Sequence, residues 1–146
     1  MDKKIKIIET NRGGKITLHN PGQKIVYFVL NLNSKKKDIK NLVKQIEVSI
    51  IEFLMLYGVK SYADKENIGV WVKGKKIAAI GIRVSQWIAY HGCSININNN
   101  LDHYKKIVPC GLDNNNITSI KNESKKKINN VNRNLQKIFI KNLKNI

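Results

Sequence analysis

Cysteine is nearly absent from these 146 residues, with Cys93 and Cys110 the whole supply. Two thiols cannot build the disulfide framework of a small secreted domain, and no CxxC pair or Cys/His spacing suited to zinc occurs, so the expectation is a reducing surrounding and no metal. Carboxylates are scarce as well, 10 against 27 basic residues, and the formal net charge is +17. No two of those carboxylates stand out as a pair for acid/base work. Arginine is limited to Arg12, Arg83 and Arg133. Without its planar fork a nucleic-acid reading is weak, and the charge calls for an acidic partner whose class charge alone does not choose. No apolar run approaches the about 20 residues of a membrane helix. The start, MDKKIKIIET, is charged but lacks the hydrophobic stretch of a signal peptide. Neither GK[ST] nor GxGxxG occurs, which excludes the common phosphate-cradling loops. There is no repeat and no linker, so the length predicts a single domain over 1–146 with one site.

Lys4–Glu9 alternates and reads as a strand, broken by Asn11-Arg12-Gly13-Gly14. Lys15–His19 alternates again, Pro21-Gly22 is a turn, and the run Lys24–Leu32 has the β-branched and aromatic content of a strand buried on both faces. From Asp38 the period changes. Ile39, Leu42, Val43, Ile46, Ile50, Phe53, Leu54 and Tyr57 follow helical spacing, with Ser34 or Asp38 to cap the start and Gly58 to stop it. Further strands follow at 59–63, 68–72 and 76–84, the last two joined by a tight hairpin at Lys73-Gly74-Lys75. Trp87–Ile97 is another strand, with Gly92 where backbone passes closely. After a short turn over 101–106, Ile128, Val131, Leu135, Phe139 and Leu143 predict a terminal helix with a basic outer face. Strands clustered around one long helix, with a second at the end, predict an α+β fold. The Lys-, Asn- and Ile-rich bias resembles drift in an AT-rich genome, so part of the basic charge carries no message.

Cys110 lies between Pro109 and Gly111 in a turn, where geometry is fixed and a substrate can approach backbone. Most free cysteines act as small buried hydrophobes. A nucleophilic thiol needs a neighbouring cation or base, and Lys105 and Lys106 are close in sequence, although a solvated lysine run is usually only surface. Lys76 opens the small, apolar strand KIAAIG, and on spacing alone it reads as a hairpin lysine reaching to water. The turn 11–14 could hold an anion or carbonyl on backbone N–H groups, and His19 could act as a base or merely form a turn. Cys93 sits mid-strand and reads as packing.

Taken in order, RGGKITLHNPGQ (12–23), GVWVKGKKIAAIGIRV (69–84), YHGCSININ (90–98), IVPCGL (107–112) and ITSIKNE (117–123) resemble the octanoyltransferases of protein lipoylation, the lipoate-protein ligase B family. The resemblance implies the mixed sheet packed against helices of the biotin and lipoate protein ligase catalytic domain. It implies transfer of octanoyl (or lipoyl) from the phosphopantetheine thioester of acyl carrier protein to a lysine of a lipoyl domain, through a thioester on Cys110. Lys76, which matches the lysine opening the family's K-I-x-x-[IL]-G block, is implied as activator of that thiol. Arg12, Gly13, Gly14, Lys15, Ile16, Thr17, Leu18 and His19 are implied to line the acyl site, together with Ala79, Ile80, Gly81, Gly92, Cys93 and Ser94. No cofactor or metal is implied, since the thioester arrives activated. The implied partners are octanoyl-acyl carrier protein and lipoyl domains of 2-oxoacid dehydrogenase complexes or the glycine-cleavage H protein, with no nucleic acid and no membrane. Family chains carry a further strand, helix and HPP-type motif before the RGG block, so this chain is expected to be N-terminally incomplete. Asn20 stands where the family has a turn glycine, and Cys93 where it has a small apolar residue. The family operates in bacterial cytoplasm, mitochondria and plastids, and the Lys/Asn bias leans to an organelle of a eukaryotic parasite. An ATP-dependent lipoate or biotin ligase is the nearest alternative, but such ligases carry a GGG-containing turn leading to His-Asp and use no PCG cysteine. A non-catalytic basic module of the same fold is the second.

Overall fold

The computed structural model describes residues 7–14, 16–106, 116–144 and 146. Helix α1 spans Ile39–Leu56. Its first turn leaves backbone N–H groups without partners, and Asp38 Oδ1 accepts one of them, from Asn41, at 2.9 Å, a cap worth about 1 kcal/mol. At the other end Gly58 takes φ +74°. That left-handed residue lets Gly58 N donate to Met55 O at 2.9 Å and Val59 N to Leu54 O at 3.2 Å, which closes the helix. Leu42, Ile46, Ile50, Phe53 and Leu54 are fully buried along the predicted stripe.

The sheet has the order β1-β6-β5-β4-β3, with β2 also paired to β6, and all these strand pairs are antiparallel. The strands are β1 Gln23–Tyr27, β2 Leu30–Asn31, β3 Tyr62–Ala63, β4 Val70–Val72, β5 Lys75–Ser85 and β6 Ile88–Asn96. Between β4 and β5 the hairpin turns on Lys73 and Gly74, both with positive φ (49° and 77°), which matches the right-handed twist of its strands. A short helix α2 (Ile120–Glu123) and the terminal α3 (Val131–Leu143) follow. α1 and α3 lie side by side. Leu135, Ile138, Phe139 and Leu143 of α3 join α1 and one sheet face in the core, leaving Arg133, Lys137, Lys141 and Lys144 outward as expected. Across the helix pair Glu52 bonds to Lys141 and, at 3.0 Å, to Asn142, partners that hold its carboxyl below the usual range. The architecture is α+β, with helices on a predominantly antiparallel sheet.

Three expected strands differ. Of Lys4–Glu9, the described part, 7–9, is irregular, and Ile7 and Ile8 are exposed. The segment 16–19 alternates in sequence but forms no ladder. Its neighbour Gly13 makes a single backbone bond to the β5 edge, Gly13 N to Ile82 O at 3.1 Å, and the Leu18 carbonyl is met by the Tyr104 hydroxyl instead. The run Lys24–Leu32 is broken at Phe28-Val29 and is not buried on both faces, since Tyr27 and Val29 are 71% and 75% exposed. The break faces His91, whose φ of +67° kinks β6 between the parts that pair with β1 and β2.

Candidate active site

The turn Arg12-Gly13-Gly14 lies flat on the edge of β5. A Cβ on Gly13 would fall 2.6 Å from Ile82 O, and one on Gly81 would fall 3.1 Å from both Arg12 Cδ and Gly13 O. Glycine is needed on both sides because backbone meets backbone there. Arg83 Nη1 donates to Asn11 O at 3.0 Å and His91 Nε2 to Asn11 Oδ1 at 2.9 Å, so two side chains from β5 and β6 hold the turn in place. Gly14 has φ +87°, and Arg12 Nη1 donates to Gly13 O at 3.0 Å.

β5 brings Lys76 next to two other features. Its backbone pairs with the segment leading into α2: Lys76 N donates to Asn116 O at 2.7 Å and Thr118 N to Lys76 O at 3.0 Å. That returning segment is fixed further, because Asn96 Nδ2 donates to Thr118 O at 3.0 Å and Thr118 Oγ1 to Glu123 Oε1 at 2.8 Å. The Lys76 ammonium donates to Ile68 O at 3.3 Å and stands 4.7 Å over the Trp71 ring. Carbonyl, ring face and nearby Asp64 all favour the charged amine. The lysine is therefore not a surface hairpin residue swept by water, as spacing alone suggested. Cys110 and Lys15 lie outside the described residues.

His19 is oriented by a polar network at the ends of β1 and β6. Gln23 Nε2 donates to Asn96 Oδ1 at 2.9 Å and to Tyr104 Oη at 2.8 Å, so Gln23 Oε1 is the atom facing His19 Nδ1 at 2.7 Å. The proton of a neutral His19 then belongs on Nδ1, and Nε2 is left as an acceptor. Tyr104 passes the network on to Leu18 O at 3.3 Å, and burial pushes its hydroxyl pKa up. Asn20, in place of a turn glycine, is absorbed here: it donates to Asn100 O at 2.7 Å and accepts from Asn99 Nδ2 at 3.0 Å.

The ladder sets Ala79 opposite Ser94, Ile80 opposite Cys93 and Gly81 opposite Gly92. Because strand side chains alternate, these rungs divide between two faces. Ile80 and Cys93 turn toward the helices and pack in the core, with Cys93 5% exposed and its thiol pushed up to about 12 by burial. Strand parity sends the side chains of these two under the sheet, so only their backbone is shared with the opposite face. Ala79, Gly81, Gly92 and Ser94 share the opposite face, and Gly92 passes so close to Val26 that a Cβ would fall 1.9 Å from its carbonyl oxygen. Leu18 is buried, whereas Ile16 is 48% exposed. Gln23, Asn96, Tyr104, Arg83, His91 and Trp71 carried no role in the sequence, although all but Tyr104 fall inside the matched blocks.

A turn clamped on a glycine rung, an oriented histidine and a lysine tied to a returning loop form one side of a sheet whose other side is core. The chain matches the family described as the lipoyl protein ligase A/B catalytic domain over residues 1–140. Proteins named octanoyltransferase from Rickettsia rickettsii (strain Sheila Smith) and Rickettsia canadensis (strain McKiel) are 46% and 47% identical to it over 123 residues, 80% of this chain. The chain spans 59% of the length of each of these relatives. Solved structures share its fold: lipoate-protein ligase A bound with ATP (TM-score 0.77, 14% identity, 92% of this chain and 57% of that one), the bi-partite lipoate protein ligase of Thermoplasma acidophilum (0.72, 15%, 92% and 56%) and biotin protein ligase of Aquifex aeolicus (0.66, 20%, 84% and 53%). Matched over residues 1–140 and 46–47% identical to these relatives over 80% of its length, the chain belongs to the lipoyl protein ligase A/B catalytic domain family.

Proposed function

We propose that this chain carries the catalytic centre of an octanoyl-[acyl-carrier-protein]:protein N-octanoyltransferase, with Cys110 as nucleophile and Lys76 as its activator. The observation that supports this most is the place of Lys76: two backbone bonds tie it to Asn116 and Thr118, a few residues after Cys110 in sequence, and its ammonium is held by Ile68 O and the Trp71 ring face. A cation so held favours the thiolate of a neighbouring cysteine. In the first step the Cys110 sulfur bonds to the octanoyl carbonyl, the bond to the phosphopantetheine sulfur breaks, and that sulfur leaves as a thiol with the proton Cys110 gave up. In the second, the amine of a lipoyl-domain lysine bonds to the same carbonyl, the Cys110 sulfur departs, and the proton lost by the amine passes through Lys76 to solvent or thiolate. Both steps balance without nucleotide or metal, so none is required by the reading. The Arg12–His19 segment and the face of Ala79, Gly81, Gly92 and Ser94 would bound the acyl chain.

Octanoyl-acyl carrier protein and lipoyl domains are the partners. Both are small acidic proteins in this family, and the exposed lysines of α1 and α3 would speed their encounter. The relatives named above are bacterial, which favours the bacterial cytoplasm over a plastid or mitochondrion. Among the described residues no helix is long and apolar enough to cross a membrane. The ATP-dependent ligases resemble this chain only in fold, at 20% identity or less. The test supplies octanoyl-acyl carrier protein and an apo lipoyl domain without ATP. Octanoylation of the domain lysine that disappears in Cys110→Ala supports the transferase; transfer that requires free octanoate and ATP supports the ligase, and none under either condition supports a binding module.

A further inference from the structure

Glu47 is a carboxylate in the wrong company. It lies on α1 among Leu42, Ile46, Ser49, Ile50 and Phe53, all fully buried, and is itself 9% exposed. Burying a carboxylate there is costly unless it is hydrogen-bonded. Its Oε1 accepts from Gly69 N at 3.3 Å, in the loop that leads into β4. The carbonyl of that same peptide unit, Ile68 O, accepts from Lys76 Nζ at 3.3 Å. One amide is thus gripped at its N–H end by a carboxylate and at its oxygen end by an ammonium.

The backbone is shaped for this grip. Gly69 has φ +137°, and a Cβ there would fall 2.7 Å from Ala78 O and 3.2 Å from Lys76 Cε, so only glycine lets the peptide lie between helix and lysine. Asp64 Oδ1 accepts from Glu66 N at 2.9 Å and Asn67 N at 2.7 Å, and Trp71 Nε1 donates to Asn67 O at 2.9 Å. These bonds fix the residues just before Ile68 and the ring under the ammonium. Hydrogen bonds in series through an amide polarise one another, and a carboxylate on the N–H enriches the carbonyl oxygen.

We propose that Glu47 is a positioning residue for Lys76, acting through the Ile68–Gly69 peptide to keep the ammonium over Trp71 at the start of β5. The role matters to catalysis only on the reading of Lys76 as activator of Cys110. Asp64 also faces Lys76, from the loop between β3 and β4, and adds charge while its carboxylate holds Glu66 N and Asn67 N.

The full chain, labelled for NMR, tests this. In the unaltered protein the Gly69 amide proton shifts as Glu47 titrates, and the Lys76 Cε signal follows in the same pH range. Glu47→Gln keeps the shape and removes the charge; it lowers the Lys76 titration midpoint by about half a unit or more. It also slows octanoyl adduct formation on Cys110 about tenfold at saturating carrier protein, with KM unchanged. Asp64→Asn moves the Lys76 midpoint and leaves the Gly69 amide where it was. A Gly69 amide that ignores pH in the carboxyl range, or a Lys76 midpoint unmoved in Glu47→Gln, overturns the proposal. If the midpoint shifts but the unaltered chain forms no adduct, the relay stands and the acyl-transfer reading fails.

Discussion

Alkylation separates the two thiols. Cys93 pairs with Ile80 and Val26 across its ladder and is 5% exposed, and burial pushes its pKa up to about 12. At pH 8 an ordinary thiol of pKa about 8.5 is roughly one-quarter thiolate, whereas one near 12 is about one part in ten thousand. The loss of thiolate alone slows reaction with iodoacetamide by about 2,000-fold. The alternative route, reaction after core strands open, restores an ordinary thiol but demands close to the global unfolding free energy, so it is slow for its own reason. The assay treats native chain and chain unfolded in guanidinium with iodoacetamide at pH 8 and follows each cysteine by peptide mass spectrometry. Cys93 in the native chain reacts at least a thousandfold more slowly than in the unfolded chain, while Cys110, if it is the activated nucleophile, is alkylated first. A native Cys93 that reacts within about tenfold of its unfolded rate would refute its placement in the core.

Gly13→Ala sets a methyl 2.6 Å from Ile82 O, so the turn must lift from β5. The bond of Gly13 N to Ile82 O is lost, about 1 kcal/mol and a few degrees of Tm, while displacement of the site by about 1 Å costs on the order of a hundredfold in single-turnover acyl transfer. Glu47→Gln behaves oppositely in stability and activity. Burial holds the Glu47 carboxyl above its ordinary value, so between the two values the folded chain binds more protons than the unfolded one, and stability falls as pH rises through that window. The variant lacks that fall, and its urea midpoint at pH 7 equals or exceeds that of the unaltered chain even as adduct formation slows. Asp38→Ala removes the α1 cap and lowers unfolding free energy by about 1 kcal/mol in denaturant titration, with acyl transfer unchanged.

Local chemistry made much of the fold legible. The α1 stripe, its Asp38 cap and Gly58 stop, the Lys73-Gly74 hairpin and β6 all follow from spacing and turn residues, because each is decided within a few positions. The segments misread as strands fail for a non-local reason. Alternation in 15–19 supplies a strand pattern, but a ladder needs a free edge along its length, and the backbone bond to β5 falls at Gly13, before the segment begins. In 24–32 the break depends on a kink at His91, more than sixty residues later in the chain. Lys76 shows the same limit at the site. Spacing made it a solvated hairpin lysine, and its contacts with Ile68 O and Trp71 depend on strand pairing that the residues around it do not announce. Cys93 was legible as packing from its place mid-strand, and its rung faces the helices. Glu47 had a faint signal, a carboxylate inside the apolar stripe four residues after Val43 and three before Ile50.

The central claim is that Cys110 carries the acyl group and Lys76 activates it. Intact-mass measurement after mixing the chain with octanoyl-acyl carrier protein, with no nucleotide present, tests it most directly. One octanoyl group is gained per chain, mapped to Cys110, retained in Cys93→Ala, absent in Cys110→Ala and formed at least a hundredfold more slowly in Lys76→Ala. An adduct mapped to Cys93, or one that forms at an unchanged rate in Lys76→Ala, would contradict it.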